Sequence, residues 1–192
     1  MGSDEASVQA SVAHLVLCCV AGRGVSQHQG KCFTHPGMHA NFFIHGILGF
    51  LHFQSNLLNN DFNAAYLISL HATRYLALPC LNADLRNNDQ ALASAHLLSG
   101  VIPFALALAG QDNIVLGNFV IACNIISLCH YSLQNNREWG WFTAAAGVLA
   151  YFLSPVTKQK MLYPLTLGLM QYCAYRVFTV HFAPPPPPQG RR

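Results

Sequence analysis

One polar segment near the N-terminus carries four residues that could hold a metal ion. They follow the spacing H-x3-C-x2-H-x3-H: His28, Cys32, His35 and His39. One thiolate and three imidazoles would suit a tetrahedral zinc ion. However, Pro36-Gly37 interrupts any helix that would present the last two histidines on one face, and the usual zinc pairs begin with two cysteines. Zinc therefore stays an alternative here, and the expectation is that no cofactor is bound.

A second group of polar residues falls inside apolar stretches, where ionisable side chains are costly and often functional. Arg74 lies near the middle of Ala64–Leu81, with His71 one turn earlier on the same face. We expect Arg74 to face the interior of a helix bundle, with His96, Asn124 or His130 as its polar company. These five residues form the candidate site. Our functional interpretation of these residues is a site for an anion or a lipid headgroup. The alternative is that Arg74 has only a structural role.

Histidines that face each other across a bundle can also ligate haem. The positions that would give two such pairs are His52, His71, His96 and His130. Their neighbours carry no distinctive haem motif, and each histidine is equally explained as a hydrogen-bonding group between helices. Haem is therefore a second alternative to the absence of a cofactor.

The amino-acid composition of the chain indicates the environment in which these polar residues lie. The chain has 192 residues, of which 53% are hydrophobic and only 9% are charged. A soluble domain carries about 25% charged residues, so this chain could hardly cover a water-exposed surface. A typical cytosolic enzyme and a disordered chain are excluded, and a net charge of +3 spread along the sequence does not indicate nucleic-acid binding. The lipid bilayer is the expected partner.

Seven apolar stretches predict an all-α membrane protein, a compact bundle of six to seven transmembrane helices with short loops. The stretches are Ala6–Gly22, Ala40–Gln54, Ala64–Leu81, Ala91–Gly110, Ile114–Leu133, Trp139–Ser154 and Leu162–Phe182. The fourth, fifth and seventh have ample length for a span, whereas the second and sixth are short. Residues 1–5 are expected to form an acidic tail, 6–182 the membrane domain, and 183–192 a disordered proline-rich tail.

The connectors contain Asn and Asp where helices should begin, as in Asn87-Asn88-Asp89 and Gln111-Asp112-Asn113. Gly46 and Gly49, on one helix face, should let two helices approach closely. Pro103 should kink the fourth stretch.

Lysines and arginines in the loops indicate the orientation. If the chain has seven spans, six basic residues lie on one side of the membrane and two on the other. The six are Arg23, Lys31, Arg86, Arg137, Arg191 and Arg192, and the two are Lys158 and Lys160. The N-terminus is therefore expected to be lumenal or extracellular and the C-terminus cytoplasmic. With six spans the split becomes four against four and indicates nothing.

Scattered positions in the middle of the chain resemble the transmembrane protein 276 family. The resemblance lies in Leu78-Pro79, Asp84, Asn88-Asp89, Leu97-Leu98 and Leu108-Ala109-Gly110, together with the opening His14-Leu15-Val16-Leu17. It implies a small multi-pass membrane protein and no particular chemistry.

The sequence favours a non-catalytic interaction or organising role, with a membrane-protein partner or a second copy of the chain as possible companions. The alternative is a carrier or channel for an anion or polar lipid that uses the intramembrane His and Arg residues.

Overall fold

The computed structural model describes residues 2–27, 33–34, 37–157 and 159–181, and this part of the chain is helical with no β-strand. The helices are α1 (Gly2–Gln27), α2 (Gly37–Phe53), α3 (Ser55–Leu58), α4 (Asn63–Tyr75), α5 (Ala77–Leu85), α6 (Gln90–Leu108), α7 (Ile114–Gln134), α8 (Glu138–Val148) and α9 (Leu162–His181). The described part of each of the seven apolar stretches is thus mostly helical.

Four helices among the described residues are long and apolar enough to cross a membrane. These candidate spans are Glu5–Ser26, Gln90–Leu108, Ile114–Gln134 and Glu138–Thr157. The membrane class is thereby supported, whereas the count of six to seven spans is not established. The seventh stretch has the length for a span, but it is not among these four candidate spans. Gln171 and Arg176 lower the mean hydropathy of α9. Gln171 is fully buried within the bundle.

Residues 2–5 lie in the first turn of α1, so the helix begins earlier than the predicted tail boundary. Acidic residues such as Asp4 and Glu5 favour a helix N-terminus, where the partial charge is positive. The predicted proline-rich tail, 183–192, lies outside the described residues.

The third apolar stretch is broken at Leu76, between α4 and α5. Pro79 lies in the first turn of α5 and has no N–H to donate to the carbonyl of Tyr75, so one helical hydrogen bond is missing where the two helices meet. Gly100 of α6 packs against that carbonyl and against the Pro79 ring. By contrast, α6 is helical on both sides of Pro103, which is buried.

The sixth stretch also departs from a regular helix. After α8 the chain forms a π-helical segment, Leu149–Leu153, and then a 3-10 turn, Ser154–Thr157. The π-helical segment contains the buried Tyr151, whose hydroxyl donates to the Thr73 carbonyl at 2.8 Å. This irregular chain therefore packs directly on the end of α4.

Close helix packing depends on the glycines of α2, as their spacing indicated. A Cβ at Gly46 would lie 2.7 Å from the backbone nitrogen of Cys18, and one at Gly49 would overlap the His14 ring. The buried core then runs through the bundle, with Leu17, Phe42, Leu78, Leu128 and Met170 among its fully buried side chains.

Candidate functional site

Arg74 lies in the last turn of α4, and its guanidinium donates from Nη2 to Oδ1 of Asn118 on α7 at 2.7 Å. The same group lies 5.7 Å from the ring centroid of Tyr75. The arginine thus has polar company from another helix, as expected, but its partner is Asn118 and not His96, Asn124 or His130. The reason is helix rotation, since Asn118 and Asn124 point in different directions on α7.

Tyr75 connects Arg74 to an acidic residue in the α6–α7 connector. Its hydroxyl donates to Oδ1 of Asp112 at 2.6 Å, and its side chain is completely buried. The ring lies against Gly117 of α7, where a Cβ would come within 2.5 Å of it. Any larger residue at Gly117 would push the ring away, so this glycine lets Tyr75 fill the space between α4 and α7.

A cavity of about 540 Å³ opens beside these polar groups. Its lining combines apolar and aromatic side chains with two charged ones, Arg74 and Asp112. The lining residues are Leu70, His71, Arg74, Asp112, Ile114, Asn118, Tyr151, Phe152, Pro155 and Tyr163. The volume falls within the range of small-molecule sites, about 300–1,000 Å³. Asp112 and Ile114 are exposed, so the cavity is open at this end of the bundle. Arg74 therefore has a route to the surface that its position in the sequence did not indicate.

His96 and Asn124 belong to a separate network between α5, α6 and α7. The amide oxygen of Asn124 lies 3.0 Å from Nδ1 of His96 and accepts from Nδ2 of Asn82 at 3.1 Å. Because that oxygen can only accept, Nδ1 of His96 carries the hydrogen. Nε2 then accepts from the Ser127 hydroxyl at 3.2 Å. Both ring nitrogens of the histidine are thus hydrogen-bonded, which leaves neither available to bind a ligand.

Arg86 completes this network from the end of α5. It donates to Oδ1 of Asn82 at 3.1 Å and to the Ser127 carbonyl at 2.7 Å, and it lies 5.4 Å from the Tyr131 ring centroid. The amide of Asn124 also donates to Ser99 and to the Val120 carbonyl. The arrangement stabilises the packing of three helices.

The five predicted site residues are therefore divided among three places. His71 and Arg74 line the cavity, His96 and Asn124 bond each other in the network, and His130 is exposed on α7. The four histidines considered for haem are similarly separated, since His52 stacks on Tyr66 at the far end of α2 with ring centroids 4.5 Å apart.

The predicted zinc ligands His28, Cys32 and His35 lie outside the described residues. His39 is described, and its ring is buried beside Gln171 of α9, with Nδ1 in hydrogen-bonding contact with the Gln171 amide. Among the described residues, no group of three or more His, Cys, Asp or Glu could hold a metal ion. The zinc alternative is left without a structural argument.

A cluster of histidines around Tyr66 was not anticipated from the sequence. The Tyr66 ring stacks on His45 and His52, and the His14 ring approaches its edge. The Ser69 hydroxyl donates to the Tyr66 carbonyl, so Nδ1 of His45 must donate to Ser69, at 2.9 Å. These rings join α1, α2 and α4, and Gly49 lets the His14 ring approach α2 closely. Nε2 of His14, Nε2 of His45 and Nδ1 of His52 are buried without a hydrogen-bond partner.

Asp84, at the end of α5, holds the segment before α2 in place. Its carboxylate accepts from the hydroxyl of Thr34 at 2.7 Å and from the Thr34 N–H. Burial raises the pKa of Asp84 to about 6, although these hydrogen bonds act in the opposite direction. The carboxylate thus changes its charge close to neutral pH.

Comparisons with known proteins do not assign this arrangement to a family. No family model matches the chain, and no match was found among curated proteins or among solved structures. The resemblance to the transmembrane protein 276 family therefore stays an expectation.

Proposed function

We propose that the chain crosses the membrane seven times, with the break at Leu76 inside the third pass. Support comes from contacts that tie helix ends together. Ser7, near the start of α1, donates to the carbonyl of Phe53 at the end of α2. Thr34, before α2, bonds Asp84 at the end of α5. Successive passes that alternate in direction account for these contacts.

Charges differ between the two ends of this bundle. Arg23, Arg86, Arg137 and Arg176 lie at what we name the arginine end, where α1, α5 and α9 finish and α8 begins. Glu5, Asp61, Asp112 and Lys160 lie at the opposite, acidic end. By the positive-inside rule the arginine end faces the cytoplasm, with the N-terminus lumenal or extracellular. Tags on the two termini should therefore be accessible from opposite sides, and access from the same side would contradict seven passes.

We infer that the protein is a non-catalytic membrane protein that binds an amphiphile with an anionic group in its head. The observation that carries this proposal is the position of Arg74, a cation beside an open and largely apolar cavity of about 540 Å³. The guanidinium has five N–H donors, of which the Asn118 bond uses one, and the Tyr75 side chain lies beside the group. The remaining donors suit a carboxylate or phosphate, and the apolar wall suits an acyl chain.

Binding of an amphiphile at the cavity is better supported than transport of a solute through the bundle. Tyr75 is fully buried and lies against Gly117, while its own carbonyl contacts Gly100. A carrier or channel would need the contacts of Tyr75 with Gly117 and Gly100 to open. We therefore favour an interaction or organising role, in which the bilayer supplies the ligand.

The test measures lipids that stay with the purified protein in mild detergent. Arg74→Gln should lower the retained lipid about tenfold, because a charge-assisted hydrogen bond contributes about 1.5–3 kcal/mol. Ile114→Trp should also lower it by filling the cavity, whereas its neighbour Val115→Trp should not, since Val115 is 80% exposed and does not line the cavity. Equal retention in all three variants would contradict the proposal.

A further inference from the structure

The cavity contains an acidic residue as well as a basic one. We propose that its ligand is a zwitterionic lipid, with a phosphate that binds Arg74 and an ammonium group that binds Asp112. This inference rests on the proposed function and adds the chemical class of the headgroup.

Both charged groups contact one side chain and so lie close to each other. The Arg74 guanidinium is 5.7 Å from the Tyr75 ring centroid, and the Tyr75 hydroxyl donates to Oδ1 of Asp112 at 2.6 Å. A carboxylate has about four acceptor positions, so this one bond leaves capacity for an ammonium donor. Tyr75 thus holds a cation and an anion in the same wall of the cavity, which matches a headgroup that carries both charges.

Electrostatics favour this headgroup over a purely anionic one. A ligand that carries only a phosphate would gain from Arg74 but would also meet the negative charge of Asp112. This repulsion falls with distance, so it is largest for a phosphate that is bound directly beside Asp112. A zwitterion converts the same carboxylate from a repulsive group into an attractive one.

The rest of the cavity fits the remainder of a lipid. Aromatic side chains from the π-helical segment and α9 also line it: Tyr151, Phe152 and Tyr163. Their faces attract cations, so they favour an ammonium group as well as an acyl chain. Ile114 is 61% exposed at the opening, where a lipid chain could pass from the bilayer into the cavity.

The experiment measures apparent lipid affinities by native mass spectrometry of the full chain in detergent. The probes are phosphatidylethanolamine, phosphatidylcholine and phosphatidylglycerol with identical acyl chains. The wild type should bind the first two about tenfold more tightly than the third. Asp112→Asn keeps an oxygen that can accept from Tyr75 but removes the charge, so this preference should disappear. Asp112→Glu should restore it, and Asp61→Asn, an exposed acid at the same end, should leave it unchanged.

The outcomes separate the two proposals. Phosphatidylglycerol binding as tightly as the zwitterionic lipids in the wild type, or an unchanged preference in Asp112→Asn, would overturn the zwitterion while leaving the cavity site intact. Arg74→Gln should weaken all three lipids about tenfold. If it weakens none of them, the proposed function itself fails.

Discussion

The cavity at the acidic end and the network around Asn124 are built from similar residues and behave differently. Both combine an arginine, a histidine and an asparagine of α7. In the network, His96 and Asn124 direct their polar atoms at neighbouring helices. At the cavity, Arg74 donates to Asn118 and lies beside open volume. Polar residues within a membrane bundle therefore indicate a binding site only where space accompanies them.

The largest expected effect concerns the network. Asn124→Leu would leave Nδ1–H of His96 without its acceptor between the helices, whereas the Asn82 amide would keep the backbone carbonyl of residue 124. The unsatisfied His96 group costs about 1–3 kcal/mol and the lost side-chain bonds to Asn82 and Ser99 about 1 kcal/mol each, so we expect a loss of roughly 3–5 kcal/mol in unfolding free energy. Thermal unfolding in detergent measures the change. The matched control is Asn118→Leu, six residues earlier on the same helix, which should cost clearly less. Equal losses of unfolding free energy in the two variants would contradict the difference between the network and the cavity.

The second prediction concerns pH and Asp84, which lies outside both regions. Its folded pKa of about 6 exceeds the ordinary value of 3.8, so the folded state binds the proton more tightly. Stability should therefore fall as pH rises from about 4 to 6, by about 3 kcal/mol at most, and stay low above that range. Asp84→Asn should remove this dependence and raise the melting temperature at pH 7.

Asp61→Asn provides the control, because Asp61 is exposed and should keep the wild-type profile. A wild-type stability that rises between pH 4 and 6, with Asp84→Asn unchanged from it, would argue against the raised pKa of the Asp84 carboxyl.

The smallest effect on stability is expected at the cavity. Arg74→Leu removes a cation that is partly exposed and has one side-chain hydrogen bond, so its unfolding free energy should change by about 1 kcal/mol or less. Lipid binding should nevertheless fall about tenfold. A structural arginine would give the reverse pattern, with a large loss of folded yield and unchanged lipid binding.

The sequence was sufficient to place the helices. Each apolar stretch coincides with helical structure among the described residues, and two of the four predicted capping connectors act as such, since Asp89 accepts from the Leu92 N–H and Asn113 from that of Leu116. The helices after the other two follow Phe62 and Arg137, which provide no side-chain cap. These features depend on residues that are near each other in the chain, which is why they can be predicted from it.

The site could be predicted only in part, because it depends on the rotation and packing of helices. Arg74 was identified as a residue of interest, but its partner was not. Six residues separate Asn118 from Asn124, and at about 100° per residue they lie roughly 120° apart around α7. Hydropathy does not distinguish these faces. The sequence predicted Asp112 only as part of a helix cap. The break at Leu76 brings Tyr75 close to Asp112, and this break depends on packing against α6.

Photocrosslinking tests the central claim most directly. The purified protein would be incubated with a zwitterionic phospholipid that carries a diazirine in its acyl chain, irradiated, and mapped by peptide mass spectrometry. We expect adducts concentrated at Leu70, Ile114 and Phe152, with loss of those at Leu70 and Phe152 in Ile114→Trp. Adducts spread equally over exposed apolar residues such as Phe119 and Ile126, and unchanged in Ile114→Trp, would contradict a lipid site at Arg74.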